Sequence, residues 1–236
     1  MTGSISKSTN AAVVIPAKGT SARVVNKNLQ KISGKSLVRI ATMHAIEARI
    51  FDEVFVDTDS EEVWDEVKDL DCQIMWRPPD LANNKTDGNQ LLQWEYEAGL
   101  GSYKYLFQHH CTSPLIHPRT IAYAVHALIN EPKYDSIITV VPRTEYNWVQ
   151  DTGLSNKLIA LYDKRNLPNS QDLMPVFQET HALYGITKEA FLETKLRVGK
   201  KPLLFTTSEL EAYDINTPED LEIVRCLGNN LCGDYI

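Results

Sequence analysis

Short β-branched apolar runs alternate with capped amphipathic segments from residue 12 to residue 141, a pattern that few architectures accommodate. The runs at 12–15, 53–58, 72–76, 103–108 and 136–141 read as strands. Between them, 36–49, 61–67, 88–99 and 118–130 carry helical spacing. Ser36 and Ser60 stand at N-cap positions, Glu61 and Glu62 complement a helix dipole, and Pro118 suits a first helical turn. Strands linked through helices pair in parallel, with right-handed crossovers that cover both faces of the sheet. The chain is therefore expected to be an α/β protein, three layers deep, on a mainly parallel sheet.

The alternation fails between 142 and 180, where Trp148, Tyr162, Pro168 and Pro175 punctuate a polar stretch without a long periodic helix. An inserted loop or hairpin arm is expected there. Regularity returns with a strand at 181–186, a helix at 188–194 and a strand at 203–206. Next, Thr217 caps a helix, Pro218 takes its first position, and Glu219 and Asp220 follow in its first turn. A single domain over 11–236, interrupted by the arm, follows a Ser/Thr-rich tail at 1–10.

The first strand runs into a loop with chemical content. Pro16 and Gly19 end the strand, and Ala17, Gly19, Thr20, Ser21 and Ala22 are small enough for backbone N–H groups to approach phosphate oxygens. Lys18, Arg23 and Lys27 add charge, and Asn28 adds directed donors. Open α/β sheets bind ligands at the carboxyl ends of their strands, where this loop sits. The competing reading is an ordinary solvated loop, since the pattern is not that of a P-loop. A Gly-x-Gly-x-x-Gly is absent after the first strand, which disfavours a dehydrogenase.

Over 236 residues the net charge is −7, which argues against a nucleic-acid or anionic-membrane surface and confines phosphate binding to a local pocket. No apolar run approaches the roughly 20 residues of a membrane span, and a soluble cytoplasmic protein is expected. Cys72, Cys111, Cys226 and Cys232 form neither a CxxC pair nor a zinc spacing and read as reduced. His109 and His110, neighbours on a strand, point to opposite faces and do not suit one ion.

Six motifs in order resemble the acylneuraminate cytidylyltransferase family and its relatives acting on other 2-keto-3-deoxy sugar acids. They are Ile15-Pro-Ala-Lys18 through Lys27-Asn28-Leu29, Ser33-Gly-Lys-Ser36-Leu37, Val56-Asp-Thr-Asp59, Arg77-Pro78, Thr112-Ser-Pro-Leu115 and Asp214-Ile-Asn-Thr-Pro-Glu-Asp-Leu221. Ser21-Ala-Arg23 is similar to the ketodeoxyoctulosonate branch, whereas Thr112-Ser-Pro-Leu115 is similar to the sialic acid type. The resemblance implies a Rossmann-like nucleotide-diphospho-sugar transferase fold and condensation of CTP with a sugar acid, giving a CMP-sugar and pyrophosphate. It implies catalytic roles for Lys18, Arg23, Lys27 and Asp214, with magnesium held by Asp214 and Asn216. Ala17, Gly19, Ser21, Asn28, Arg77 and Gln108 would join Lys18, Arg23 and Lys27 around the nucleotide. His110, Thr112, Arg165, Gln171 and Tyr184 would contact the sugar acid. A homodimer through the arm at 142–180 is implied as well.

The chain departs from that family at several positions. Lys18 stands where arginine is usual and His110 where a glutamine is usual. Thr180-His181-Ala182 replaces Asn-Gly-Ala, and Asn216 replaces the second acid of the metal pair. A nucleotidyltransferase using another nucleotide or a sugar phosphate is one alternative. A non-catalytic nucleotide-binding homologue, motivated by Lys18 and Asn216, is another. Taken alone, Arg77 equally suits a helix cap or an ion pair with Asp80.

Overall fold

The computed structural model describes residues 8–151 and 157–230. Strand β1 (Ala11–Pro16) lies inside the sheet, with β4 (Glu53–Thr58) parallel on one side and β6 (Tyr105–His109) parallel on the other. Between β1 and β4, β2 (Lys31–Ile32) and β3 (Lys35–Ser36) form a small hairpin. Its turn residues Ser33 and Gly34 have φ of 49° and 85°, the conformation that two-residue hairpins need. Helix α1 (Leu37–Glu47) follows, capped by the Ser36 hydroxyl as expected.

Helix α2 (Glu61–Asp65), capped by Ser60, is shorter than the expected 61–67 because the chain continues as turns. Strand β5 (Gln73–Trp76) closes one edge, and α3 (Gly88–Ala98) starts with an Asp87/Gln90 capping box. Helix α4 (Pro118–Asn130) precedes β7 (Ser136–Arg143). The interruption contains the hairpin β8 (Trp148–Gln150) and β9 (Leu158–Ala160); residues 152–156 of the expected arm, like 1–7 of the expected tail, lie outside the described residues. Strand β10 (Val176–Thr187), α5 (Lys188–Thr194), β11 (Pro202–Thr206) and α6 (Pro218–Asn230) complete the chain.

The main sheet has the order β11-β7-β10-β6-β1-β4-β5. Every neighbouring pair is parallel except those of β10, which runs antiparallel to both β6 and β7. A parallel neighbour requires a crossover, usually a helix. The chain between β7 and β10 contains no α-helix among the described residues and returns directly alongside β7. That reversal is invisible in the apolar periodicity, which does not encode strand direction.

Alternation along β1 builds the two cores. Ala11, Val13 and Ile15 pack with residues of α1, α2, α4 and α6, while Ala12 and Val14 pack with Leu92 of α3 and Ala190 and Phe191 of α5. No helix among the described residues is long and apolar enough to cross a membrane. Ser8 to Asn10, inside the expected tail, are tied down: the Thr9 hydroxyl donates to Ile50 O at 2.7 Å and the Ala11 N–H to Asp52.

Gly185 of β10 is paired with Phe107 of β6 on one side and Ile137 of β7 on the other. A Cβ there would lie 2.2 Å from the Phe107 ring and 2.8 Å from Ile137 Cγ2. Gly185→Ala should therefore destabilise the fold by about 1–3 kcal/mol, the usual cost of overpacking. Urea unfolding checks this, and an unchanged midpoint would contradict the packing.

Candidate active site

Two cavities adjoin at the carboxyl end of the sheet. The smaller, about 360 Å³, is lined by Lys18, Thr20, Ser21, Ala22, Arg23, Lys27 and Asn84. The larger, about 570 Å³, includes Arg143, Glu179, His181, Asp214, Asn216 and Asp220. Lys27 joins them: its side chain lines the first, and its Nζ donates to Ile215 O at 3.1 Å, between Asp214 and Asn216. Burial pulls the Lys27 ammonium below its ordinary pKa, and Asp214 pulls it back up.

The loop after β1 is braced from within. The Ala17 N–H donates to Asp57 O at 2.8 Å and the Gly19 N–H to Asp59 Oδ1 at 2.8 Å, so these two donors are committed internally rather than left for phosphate. Asn28 Nδ2 likewise donates to Lys18 O, and Lys18 Nζ to Asn83 O and Asn84 Oδ1. Asn28 thus shapes the loop, and Lys18 latches it to the segment before α3. Ser21 and the exposed Arg23 remain turned to the cavity with Lys27.

Behind the loop lies a buried polar layer. Arg77 is only 7% exposed and holds Asp57 through Nε and Nη2, with Nη2 at 2.5 Å from Oδ2, so its partner is Asp57 and not Asp80. Glu95 of α3 is fully buried beside Asp57, and Gln108 of β6 donates to it at 2.7 Å. One guanidinium thus faces two buried carboxylates. Burial, and then the Asp57 charge, hold the Glu95 pKa well above the carboxylate range. Both Arg77 and Gln108, expected at the nucleotide, are engaged in this layer.

Along the larger cavity, β10 changes register between Glu179 and Tyr184, and His181 takes a φ of 58° within the irregularity. The Tyr184 hydroxyl donates to Glu179 Oε2 at 2.6 Å and meets His181 Nδ1 at 2.9 Å. His110 packs edge-on against the Tyr184 ring, and Thr112 O accepts from the Ile215 N–H. Arg165 and Gln171 are exposed in the arm and line neither cavity. Among the described residues, no group of three His, Cys, Asp or Glu side chains could hold a metal.

Asp214 and Asn216 lie on extended chain before α6, not in a strand of the sheet, yet they share a side as a period of two requires. Asn216 Nδ2 donates to Asp214 Oδ2 at 2.6 Å, while the buried Asp214 Oδ1 has no protein partner. Asp57, Asp59, Glu95, Asn84 and His181 were not singled out by sequence reasoning as site residues. Of these, the paired acids of Val56-Asp57-Thr58-Asp59 lay in a quoted motif, and His181 stood in the Thr180-His181-Ala182 departure from the family pattern.

The arrangement is that of an α/β domain whose cationic loop lies beside an aspartate-bearing segment at the sheet's carboxyl edge. A family model described as cytidylyltransferase matches residues 12–230, and the chain belongs to that family. It is similar to the pseudaminic acid cytidylyltransferase of Campylobacter jejuni, 25% identical over 224 residues that cover 91% of this chain and 94% of the relative. It is also similar to the CMP-N,N'-diacetyllegionaminic acid synthase of Legionella pneumophila, 26% identical over 221 residues covering 91% and 94%. Among solved structures, a CMP:2-keto-3-deoxy-manno-octonic acid synthetase complexed with CTP shares the fold, with a TM-score of 0.66 at 17% identity over 94% of this chain and 99% of that one.

Burial lowers the pKa of His109 to about 4 and of His110 to about 3. A folded-state pKa below the unfolded value means that the unfolded chain binds more protons between the two. Stability from these groups is thus full above about pH 6.5 and lost as pH falls toward the folded values. Replacing His110 with glutamine should shrink the loss between pH 7 and pH 5 by on the order of 2 kcal/mol. Urea midpoints for parent and variant at both pH values test this; parallel losses would contradict it.

Proposed function

We propose that this cytidylyltransferase condenses CTP with a nonulosonic acid of the pseudaminic, legionaminic or sialic type, releasing pyrophosphate. The observation that carries the reading is the position of Lys27, which lines the cationic cavity and anchors the Asp214 segment of the larger one. A triphosphate against Ser21, Arg23 and Lys27 would present its α-phosphorus to a sugar acid in the larger cavity. The anomeric hydroxyl oxygen bonds to the α-phosphorus, the α–β phosphoanhydride breaks, and the hydroxyl proton leaves to solvent or a nearby base. Charge accumulates on the phosphoryl oxygens and the pyrophosphate, so fixed cations at the loop lower the barrier.

Magnesium fits the unpartnered Asp214 Oδ1, with the Asn216 carbonyl as a neutral second ligand once its amide turns. When bound, the ion would neutralise phosphate charge, which suits a site where the protein offers one carboxylate and the triphosphate completes the shell. The arm supports a homodimer: Trp148, Leu158, Ile159, Leu161, Met174 and Phe177 leave an apolar surface exposed that a second copy would cover.

Pyrophosphate release, measured with the four nucleotides against a panel of nonulosonic and octulosonic acids, tests the reading. CTP with one nonulosonic acid should give turnover, whereas release only with another nucleotide or a sugar phosphate would replace it. CTP binding without any release would make the chain a non-catalytic homologue.

Arg23→Ala and Lys27→Ala should each lower turnover by about 10- to 1000-fold, the exposed Arg23 with little loss of stability. Normal rates in both would reduce the segment to a surface loop. Asp214→Asn should abolish most magnesium-dependent turnover, while Asn216→Asp should preserve it or tighten metal binding. A magnesium titration in which Asp214→Asn matches the parent would misplace the metal.

A further inference from the structure

We infer that Arg197, on the segment between α5 and β11, is the residue that recognises the carboxylate of the sugar acid. The inference rests on the proposed reaction and adds a contact that neither the motifs nor the family resemblance supplied.

The guanidinium carbon of Arg197 lies 3.7 Å from the centroid of the Tyr184 ring, whose hydroxyl meets His181 on the wall of the larger cavity, so the cation sits on the ring one side chain back from that cavity. Its side chain is pressed against the first residue of α3: a Cβ at Gly88 would meet Nη1 at 2.5 Å. The backbone is pinned too, since the Arg197 N–H donates to Asn89 Oδ1 at 2.9 Å. This is a held, half-buried arginine. Yet no carboxylate among the described residues forms an ion pair with it, whereas Arg77 and Arg143 at the same end of the sheet are paired with Asp57 and Glu209. A stacked, immobilised cation without a counterion fits an anion supplied from outside.

A second orphan polar atom lies beside the same ring. His110 meets Tyr184 edge-on at 5.8 Å, and its buried Nε2 has no hydrogen-bond partner. Tyr184 thus carries Arg197 on its ring, His110 at its edge and, at its hydroxyl, His181, which lines the larger cavity. In a 2-keto sugar acid the carboxylate is bonded to the anomeric carbon itself. When the anomeric hydroxyl faces the α-phosphorus near Lys27, the carboxylate needs a cation a few ångströms away that the triphosphate has not already taken. Arg197 is the cation that the Tyr184 cluster beside the larger cavity offers, and His110 Nε2 is there to hydrogen-bond a sugar oxygen.

The test uses whichever nonulosonic acid the parent turns over best, its neutral methyl ester, and Arg197→Ala and Arg197→Gln. The glutamine variant keeps much of the packing on Tyr184 if alanine loosens the fold. Removing one partner of a close charge pair should raise the KM for the acid by about 30- to 1000-fold, with the KM for CTP changed less than about threefold. The parent should prefer the acid to the ester, and both variants should lose that preference. Unchanged KM for the acid in a folded variant would overturn the assignment while leaving the reaction standing. A rise in the KM for CTP alone would place Arg197 at the nucleotide and overturn it as well. If the parent turns over no sugar acid, the assignment and the proposed substrate fall together.

Discussion

The ion pair between Asp57 and Arg77 ties together the cationic loop, β4 and the chain after β5. The Asp57 side chain holds the guanidinium, its backbone carbonyl accepts the Ala17 N–H at the root of the cationic loop, and Thr58 O accepts the Arg77 N–H. Glu95 adds α3 to the same layer, and Gln108 adds β6. Taking these groups out of water is costly unless each is paired, so the layer has little freedom to rearrange. Loss of the Asp57 side chain would leave Arg77 buried without its carboxylate, directly beneath the Asp57 backbone that braces the loop.

Rigidity there explains how an unusual loop can still be ordered. A phosphate loop gains from preorganised donors and charges. Here the preorganisation comes from internal bonds: Gly19 to Asp59, Asn28 to Lys18, and Lys18 to Asn83 and Asn84. The lysine at position 18 thus makes a connection to the segment ahead of α3 in place of a bidentate fork. Direct charge for phosphate falls to Arg23 and Lys27, which are not committed to carboxylates among the described residues.

Elements defined by local chemistry were legible in the sequence. The Ser36 and Ser60 caps, Pro118 and the 188–194 helix all stand where local rules put them, because capping and periodicity act over a few residues. The β10 reversal was not legible, since direction depends on the missing crossover and not on the strand's own residues. The site divides in the same way. The cationic loop and Asp214 sit in recognisable motifs, whereas Glu95, Arg197 and His181 gain meaning only through distant neighbours: Asp57, Tyr184 and the register change in β10. Arg77 shows the limit most clearly, because a motif marks its importance without revealing that its partner is Asp57.

The account's central claim is that the triphosphate of CTP lies between the 17–28 loop and Asp214. A crystal structure of the protein with CTP and magnesium measures this directly. The account predicts triphosphate density in contact with Ser21, Arg23 and Lys27, with a metal at Asp214 Oδ1 and the Asp57–Arg77 pair intact beneath the base. A nucleotide bound away from Lys27, or phosphates with no approach to Asp214, would contradict it.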